Sequence, residues 1–171
     1  MEIELERAFL LKYKPENFDK CKSTEILDVY FPKSAEHPVL RLRKKGDKLE
    51  LTKKFPLDGK DSSEQAEHTI ILSEEEFEEF SKLEGKKLRK IRYYYPMGNL
   101  TAEIDIYQDK LQGLCVVDFE FKTKQEKDNF SMPNFCLCDV SQEKTFAAGL
   151  LAGKKYSDIK LFLDKLNYRK V

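Results

Sequence analysis

Tryptophan is absent from the 171-residue sequence, histidine occurs only twice, and no apolar run approaches the length of a membrane helix. A membrane-spanning helix needs about 20 predominantly apolar residues in succession. The acidic start of the chain also differs from the basic and then apolar pattern of a signal peptide. We therefore expect a cytoplasmic protein that has no membrane partner.

Net charge is also absent, because 31 Lys and Arg residues balance 31 Asp and Glu residues. Nucleic-acid binders generally carry a basic excess, so no nucleic-acid partner is expected. Charged residues still make up 36% of the chain, more than in an average protein. They are segregated locally, since residues 41–54 are strongly basic and residues 74–79 contain five glutamates.

Motifs for zinc, disulfides and mononucleotides are scarce. Cys136 and Cys138 are too close in sequence for an ordinary disulfide, and without a secretory signal we expect reduced thiols. A zinc site would need a further ligand pair, for which only His37 and His68 are available, so structural zinc is disfavoured. No P-loop and no Gly-x-Gly-x-x-Gly sequence occurs.

The length predicts that residues 1–171 form a single domain. Strand-like segments connected by short turns predict an antiparallel sheet or barrel. Ser73 followed by three glutamates is a helix-capping sequence, and it predicts a helix over Ser73–Leu83. Further helical segments are Gln142–Leu151 and Ser157–Leu166. The eight strand-like segments are residues 1–11, 26–31, 39–43, 49–55, 67–72, 87–95, 100–107 and 114–121, with a loop at Asp58–Ser63 before the fifth.

The first strand alternates sharply between acidic and apolar residues. Glu2, Glu4 and Glu6 share one face, and Ile3 and Leu5 share the other. Carboxylates repeated at about 7 Å repel one another unless a cation lies between them. For a single strand, a solvated polar face is the simpler interpretation.

The same alternation recurs on later strands, and its chemistry argues for a different interpretation. A solvated sheet face usually carries Thr, Ser, Gln and Lys, whereas these faces are rich in Arg and in carboxylates spaced two residues apart. Ionised faces turned inward would line a channel, and eight strands enclose space for one small ligand. Cations and carboxylates on opposite sides suit a polyphosphate with a divalent metal. The cations are Arg41, Arg43, Lys54, Lys90 and Arg92, and the carboxylates are Glu4, Glu6, Asp118 and Glu120.

These residues resemble the CYTH domains, also called triphosphate tunnel metalloenzymes, over nearly the whole chain. The hallmark of that family is an N-terminal Glu-x-Glu-x-Lys strand, and Glu4 and Glu6 match its two glutamates. Later segments are similar in order and spacing. They are Leu40-Arg41-Leu42-Arg43, Leu51-Thr52-Lys53-Lys54, Lys90-Ile91-Arg92, Glu103-Ile104-Asp105, Leu111-Gln112-Gly113-Leu114, Asp118-Phe119-Glu120, Asp139-Val140-Ser141 and Lys155-Tyr156-Ser157.

The resemblance implies an α+β fold, an eight-stranded antiparallel closed barrel or tunnel with helices packed on the outside. It also implies binding of a linear triphosphate with Mg²⁺ or Mn²⁺. In that comparison, the metal ligands would be Glu4, Glu6 and Glu120, with Asp118 as a further candidate. The phosphate-binding residues would be Arg41, Arg43, Lys54, Lys90 and Arg92, and Lys54 would join Glu4, Glu6 and Glu120 in catalysis. Glu67, Glu103 and Asp105 would orient the basic side chains.

One departure from the family pattern concerns the motif lysine, which is Ala8 here. Lys12 lies on the same face but about 13 Å further along a strand, and Arg7 points to the opposite face. Loss of this lysine would slow turnover, change the substrate or leave a binding protein.

The favoured function is metal-dependent hydrolysis of a linear triphosphate, most simply inorganic tripolyphosphate, by a monomer or homodimer. Class IV adenylyl cyclase-like activity on ATP is an alternative, although no adenine pocket is evident in the sequence. Thiamine triphosphatase activity is another, for which the missing tryptophan removes the best stacking partner. A non-catalytic triphosphate- or nucleotide-binding module is the alternative that Ala8 favours.

Overall fold

The alternating segments become strands that pair mainly with their neighbours along the chain. The computed structural model describes residues 2–57 and 61–171, so Met1 of the predicted first strand and residues 58–60 of the predicted loop lie outside it. The strands among the described residues are β1 (Glu2–Leu11), β2 (Ser23–Phe31), β3 (Leu40–Lys45), β4 (Lys48–Pro56), β5 (Glu64–Ile71), β6 (Lys86–Met97), β7 (Leu100–Tyr107), β8 (Cys115–Phe121) and β9 (Cys136–Asp139). The α-helices among them are α1 (Glu74–Ser81), α2 (Lys124–Asn129), α3 (Ala148–Leu151) and α4 (Tyr156–Lys165).

The sheet closes on itself through its first strand. Strands β5, β4, β3, β2, β6, β7, β8 and β1 follow one another, and β1 also pairs with β5 in the register Glu4 with Gln65. All of these pairings are antiparallel. This confirms the closed eight-stranded barrel. The short strand β9 is an addition that the sequence did not predict, and it pairs with the far end of β1, where Phe9 faces Asp139.

Tight turns set the register of two hairpins. Gly46 between β3 and β4 and Gly98 between β6 and β7 both have φ of +58°, a left-handed conformation that glycine adopts without steric cost. Once the register is fixed, the period of two places every second side chain on the same surface. The charged residues of each strand therefore share one side of the barrel wall.

The outer side of β1, β7 and β8 is covered by an aromatic core. Phe9 packs edge-to-face against Phe119 with ring centroids 5.8 Å apart, and Phe130 from the end of α2 stacks on Phe119 at 4.5 Å. Phe135 extends this buried cluster. Burial of each such ring contributes about 1.5–3 kcal/mol to folding stability. This core therefore holds β1, which carries Glu4 and Glu6, in the barrel wall.

A second core fills the bore at one end. Leu10, Tyr30, Leu88 and Tyr107 come from four strands, and each continues the inward-facing side of its strand. They form one buried cluster with Leu151 of α3, with Ile159 and Leu163 of α4, and with Tyr168, which follows α4. Helices α3 and α4 therefore pack outside the barrel over this end and close it.

The helices agree with the sequence only in part. Ser73 caps α1 through the predicted capping box with Glu76, and α4 matches the predicted Ser157–Leu166 helix closely. The predicted helix Gln142–Leu151 is wrong as a continuous element. It divides into a 3-10 turn at Lys144–Phe146 and α3, because Ala147 between them is extended with ψ of 127°. Within the described residues, every helix is too short or too polar to cross a bilayer.

Candidate active site in the barrel bore

The charged sides of the strands face the bore and not the solvent. The Asp105 carboxylate is fully buried, and the side chains of Lys90 and Arg92 are buried with it. Arg43 is buried on the neighbouring wall and donates two hydrogen bonds to Asp28, at 2.7 and 2.8 Å. Buried charges are tolerated only when they are paired, and this pairing offsets the cost of burying these side chains.

Asp105 is the centre of the most heavily paired cluster. Its carboxylate accepts hydrogen bonds from Lys90 and from Arg92, whose Nε and Nη2 each lie 2.7 Å from an Asp105 oxygen. Arg92 also contacts Glu103, and its Nη2 lies 3.3 Å from Asp118. Burial opposes ionisation of Asp105, but the two cations outweigh it and hold the pKa of Asp105 well below its usual range.

Lys54 on β4 forms ion pairs with two glutamates of β1. Its Nζ lies 2.5 Å from Glu4 and 2.9 Å from Glu6, so the two glutamates share one ammonium. Burial works against the charged form of Lys54, but Glu6 and Glu4 together raise its pKa. Arg41 on β3 reaches Glu67 on β5 at 3.4 Å and completes the cationic side of the bore.

The remaining carboxylates are crowded by like charges. Burial, followed by the charge of Asp105, raises the pKa of Asp118 to about 7, and Glu6 contributes in the same direction. Burial also raises the pKa of Glu120, with further contributions from the charges of Glu103 and Glu4. These repulsions show that the carboxylates of β1, β7 and β8 converge on one region of the bore.

This convergence fits a divalent cation. Hard carboxylate oxygens that repel one another are the donors that Mg²⁺ and Mn²⁺ use. Among the described residues, no group of three His, Cys, Asp or Glu side chains is already arranged to hold a metal ion. In their present conformation, Glu4 and Glu6 are directed to Lys54 instead.

Ala8 leaves a gap in the charge pattern of the bore. It faces inward beside Glu6 and is paired in register with Asp118 on β8. Arg7 points outward, where it donates to Asp139 at 2.5 Å and to the Phe130 carbonyl at 2.8 Å. Lys12 is exposed beyond the end of β1. Neither cation therefore takes the place of the motif lysine.

Two residues of β2 belong to the bore but were not singled out from the sequence. Asp28 pairs with Arg43, and Tyr30 lies two residues further along the same face. Within the described residues, the buried Tyr30 hydroxyl and the buried Nε of Arg41 have no hydrogen-bond partner. Asp28 and Tyr30 are two residues apart and therefore share a strand face, as the charged residues of the other strands do. This spacing could have predicted from the sequence that both face the bore.

A closed antiparallel barrel with an ionised bore defines a tunnel protein. The chain belongs to the CYTH domain family, whose model matches residues 2–134. The structure of the inorganic triphosphatase NE1496 is similar, with a TM-score of 0.63 and 22% identity over 90% of this chain and 97% of that one. The PH1012 protein from Pyrococcus horikoshii OT3 has a TM-score of 0.52 and 25% identity over 73% and 82%.

The family model establishes the family, and the similar structures share the barrel fold. No curated protein matches the chain in sequence.

Proposed function

We propose that residues 1–171 act as one domain that hydrolyses a linear triphosphate, most simply inorganic tripolyphosphate, with the help of a divalent metal. The observation that carries this proposal is the bore, where buried cations on β3, β4 and β6 are paired with carboxylates on β1, β2 and β7 along the inner side of the barrel wall. A linear polyanion with a metal ion has the complementary charge distribution. The similarity to a structure named as an inorganic triphosphatase supports the same reaction class.

The cations would hold the phosphate groups. Arg41, Arg43 and Arg92 present planar guanidinium groups that can each bind two phosphate oxygens, and Lys54 and Lys90 add point charges. These cations contact carboxylates in the structure, so phosphate binding would exchange one anionic partner for another. Glu67, Glu103 and Asp105 would keep the cations oriented during this exchange.

Glu4, Glu6 and Glu120 would hold the metal, with Asp118 as a further ligand. When bound, Mg²⁺ or Mn²⁺ supplies neutralisation of phosphate charge and activation of the attacking water. With a metal held by Glu4 and Glu6, Lys54 would no longer be needed to pair with these carboxylates and would bind a phosphate oxygen. Glu4, Glu6, Glu120 and Lys54 are therefore the residues we propose as catalytic.

The closed end of the bore favours a compact substrate. Leu10, Leu88 and Tyr107 fill the space beyond the charged section, so a nucleoside could extend only toward the other end. A chain of phosphates alone matches the charged section without needing a base pocket. Tripolyphosphate is therefore the substrate we favour, and ATP and thiamine triphosphate are the competing substrates to test.

A second candidate function is triphosphate binding without turnover. Ala8 favours it, because no ammonium from β1 lies beside Asp118 at the position of the motif lysine. If this function is correct, calorimetry should show tight binding of tripolyphosphate, and a phosphate-release assay should show no turnover.

The decisive experiment is a substrate panel of tripolyphosphate, ATP and thiamine triphosphate with Mg²⁺ or Mn²⁺ across about pH 6–10, where metal-bound water can ionise. We expect phosphate release from tripolyphosphate, and loss of that release in the Glu4→Gln variant. Glu16→Gln is the matched control, because Glu16 is exposed in the loop after β1. Cyclic AMP formed from ATP would assign a cyclase instead, and no product from any substrate would overturn hydrolysis.

A further inference from the structure

The carboxylate of Glu6 is held on both of its oxygens, and only one of the two partners is a cation. Lys54 donates to Oε2 at 2.9 Å, and the side-chain amide of Gln65 donates to Oε1 at 2.9 Å. Gln65 lies on β5, where the register pairs it with Glu4 of β1. It is therefore part of the seam at which β1 and β5 close the barrel, on the same inward side of β5 as Glu67.

The hydrogen bonds of the Gln65 amide select one orientation of that amide. Its Nε2 also donates to the Ser62 carbonyl at 2.8 Å, so both N–H groups are directed at oxygen acceptors. Turning the amide over would place its own oxygen against these two oxygens, which would repel it. The nitrogen therefore stays directed at Glu6, and its hydrogen bond fixes the position of Oε1.

The main chain of Glu6 is held by the residues that directly precede Gln65. The Glu6 amide donates to the Ser63 carbonyl at 3.0 Å. The Ser63 hydroxyl in turn accepts a hydrogen bond at 2.8 Å from Lys127 of α2, whose side chain is buried. Residues 62–65 thus hold Glu6 both by its backbone and by its carboxylate, so the direction of this side chain is fixed from β5.

The two partners of Glu6 would respond differently to a further cation. The ammonium of Lys54 would be repelled by a metal ion at Glu6, since like charges in a partly buried site interact strongly. The Gln65 amide carries no net charge, so its hydrogen bond to Oε1 is compatible with a cation on Oε2. In metal sites generally, hydrogen bonds to the ligating carboxylates orient them, and their loss typically costs about 10- to 100-fold in metal affinity.

We propose that Gln65 is a positioning residue for the metal site of the bore, and that it fixes Oε1 of Glu6 so that Oε2 is the oxygen offered to a divalent metal. This inference rests on the proposed function, in which Glu6 is a metal ligand. The register places Glu6 directly opposite Glu120, the ligand proposed on β8. Gln65 contacts neither metal nor phosphate in this role and acts only through Glu6.

The test is the binding of Mn²⁺ to the full chain, measured by electron paramagnetic resonance of the free ion, beside phosphate release from tripolyphosphate. Gln65→Met keeps the length of the side chain and removes both hydrogen bonds of the amide. We expect it to weaken Mn²⁺ binding about 10- to 100-fold. Gln142→Met is the matched control. Gln142 supports the same loop, donating to Asp61 at 2.8 Å and accepting from the Ser62 amide at 3.3 Å, without a hydrogen bond to Glu6 among the described residues.

Gln142→Met should bind Mn²⁺ as the natural chain does, and an equal loss in both methionine variants would overturn the role of Gln65, because it would show that only the loop matters. Unchanged binding in Gln65→Met beside lost binding in Glu6→Gln would also overturn that role, while leaving the metal site in place. Weaker binding in Gln65→Met without phosphate release from the natural chain would support the role and reject hydrolysis. Equal Mn²⁺ binding by the natural chain and Glu6→Gln would reject Glu6 as a ligand and the role of Gln65 with it.

Discussion

Ala8 on β1 lies directly opposite Asp118 on β8, in register and on the inner side of the barrel. The methyl group offers no charge to the carboxylate, so Asp118 depends on Arg92 at 3.3 Å for its cation. Burial, together with the charges of Asp105 and Glu6, raises the pKa of Asp118 to about 7. This pair is where the chain departs most clearly from the motif of its family.

The first prediction follows from restoring the missing charge. Ala8→Lys places an ammonium beside Asp118, so the pKa of Asp118 should fall toward its ordinary value. If tripolyphosphate is the substrate, kcat should increase about 100-fold, since removing one electrostatic contact from a preorganised site costs about 10²–10³ in kcat. Carboxyl NMR titration and phosphate release measure the two effects. Ala8→Met, which is long but uncharged, should produce neither, and a variant whose Asp118 still titrates near 7 contradicts the geometry.

The second prediction concerns the pH dependence of folding stability. In the folded protein, the pKa of Asp118 is raised from an ordinary 3.8 to about 7. The unfavourable cost of ionising it is therefore absent below pH about 4, grows as pH rises, and is complete above about 7. Asp118→Asn removes this cost, so its stability gain over the natural chain should be larger at pH 8 than at pH 5. Urea midpoints at both values test this, and an equal gain at both would count against it.

The third prediction tests the link between Lys54 and the metal. Lys54→Met leaves Glu4 and Glu6 without their shared ammonium, which should cost about 3 kcal/mol in the absence of metal. Mg²⁺ or Mn²⁺ should then raise the Tm of the variant more than that of the natural chain, because the ion replaces the lost charge. Lys53→Met is the control, since the adjacent Lys53 is exposed on the outer side. Equal metal effects on all three proteins would argue against a metal at Glu4 and Glu6.

The fourth prediction contrasts two buried tyrosines. The Tyr30 hydroxyl has no partner among the described residues, whereas the Tyr168 hydroxyl accepts from the Cys115 amide at 2.8 Å and donates to the Gly113 carbonyl at 2.9 Å. Tyr30→Phe should leave stability nearly unchanged but weaken tripolyphosphate binding about tenfold, since one hydrogen bond to a charged group is worth about 1.5 kcal/mol or more. Tyr168→Phe should lose about 1 kcal/mol of stability and keep its affinity. Calorimetry and urea unfolding measure both, and unchanged affinity in Tyr30→Phe would exclude a contact between this hydroxyl and the ligand.

The sequence by itself determined the local elements and the polarity of each strand. Turn glycines such as Gly46 and the Ser73 capping box act over a few residues, and the period of two assigns every strand side chain to one of two faces. The antiparallel strands and their ionised faces could therefore be predicted, whereas the closed barrel was implied only by the resemblance to the CYTH domains. The helix over Gln142–Leu151 could not be placed correctly, because the break at Ala147 depends on how this segment packs over the end of the barrel.

Only the tertiary structure decided which charges meet. Periodicity groups Arg92 with Lys90, but the barrel closure between β1 and β5 is what brings Glu4 and Glu6 to Lys54. The packing of α3 and α4 against Tyr30 and Tyr107 is also a tertiary contact, and it seals the bore at one end. These contacts join residues far apart in sequence, and alternation along a single strand carries no information about which distant strand lies across the bore.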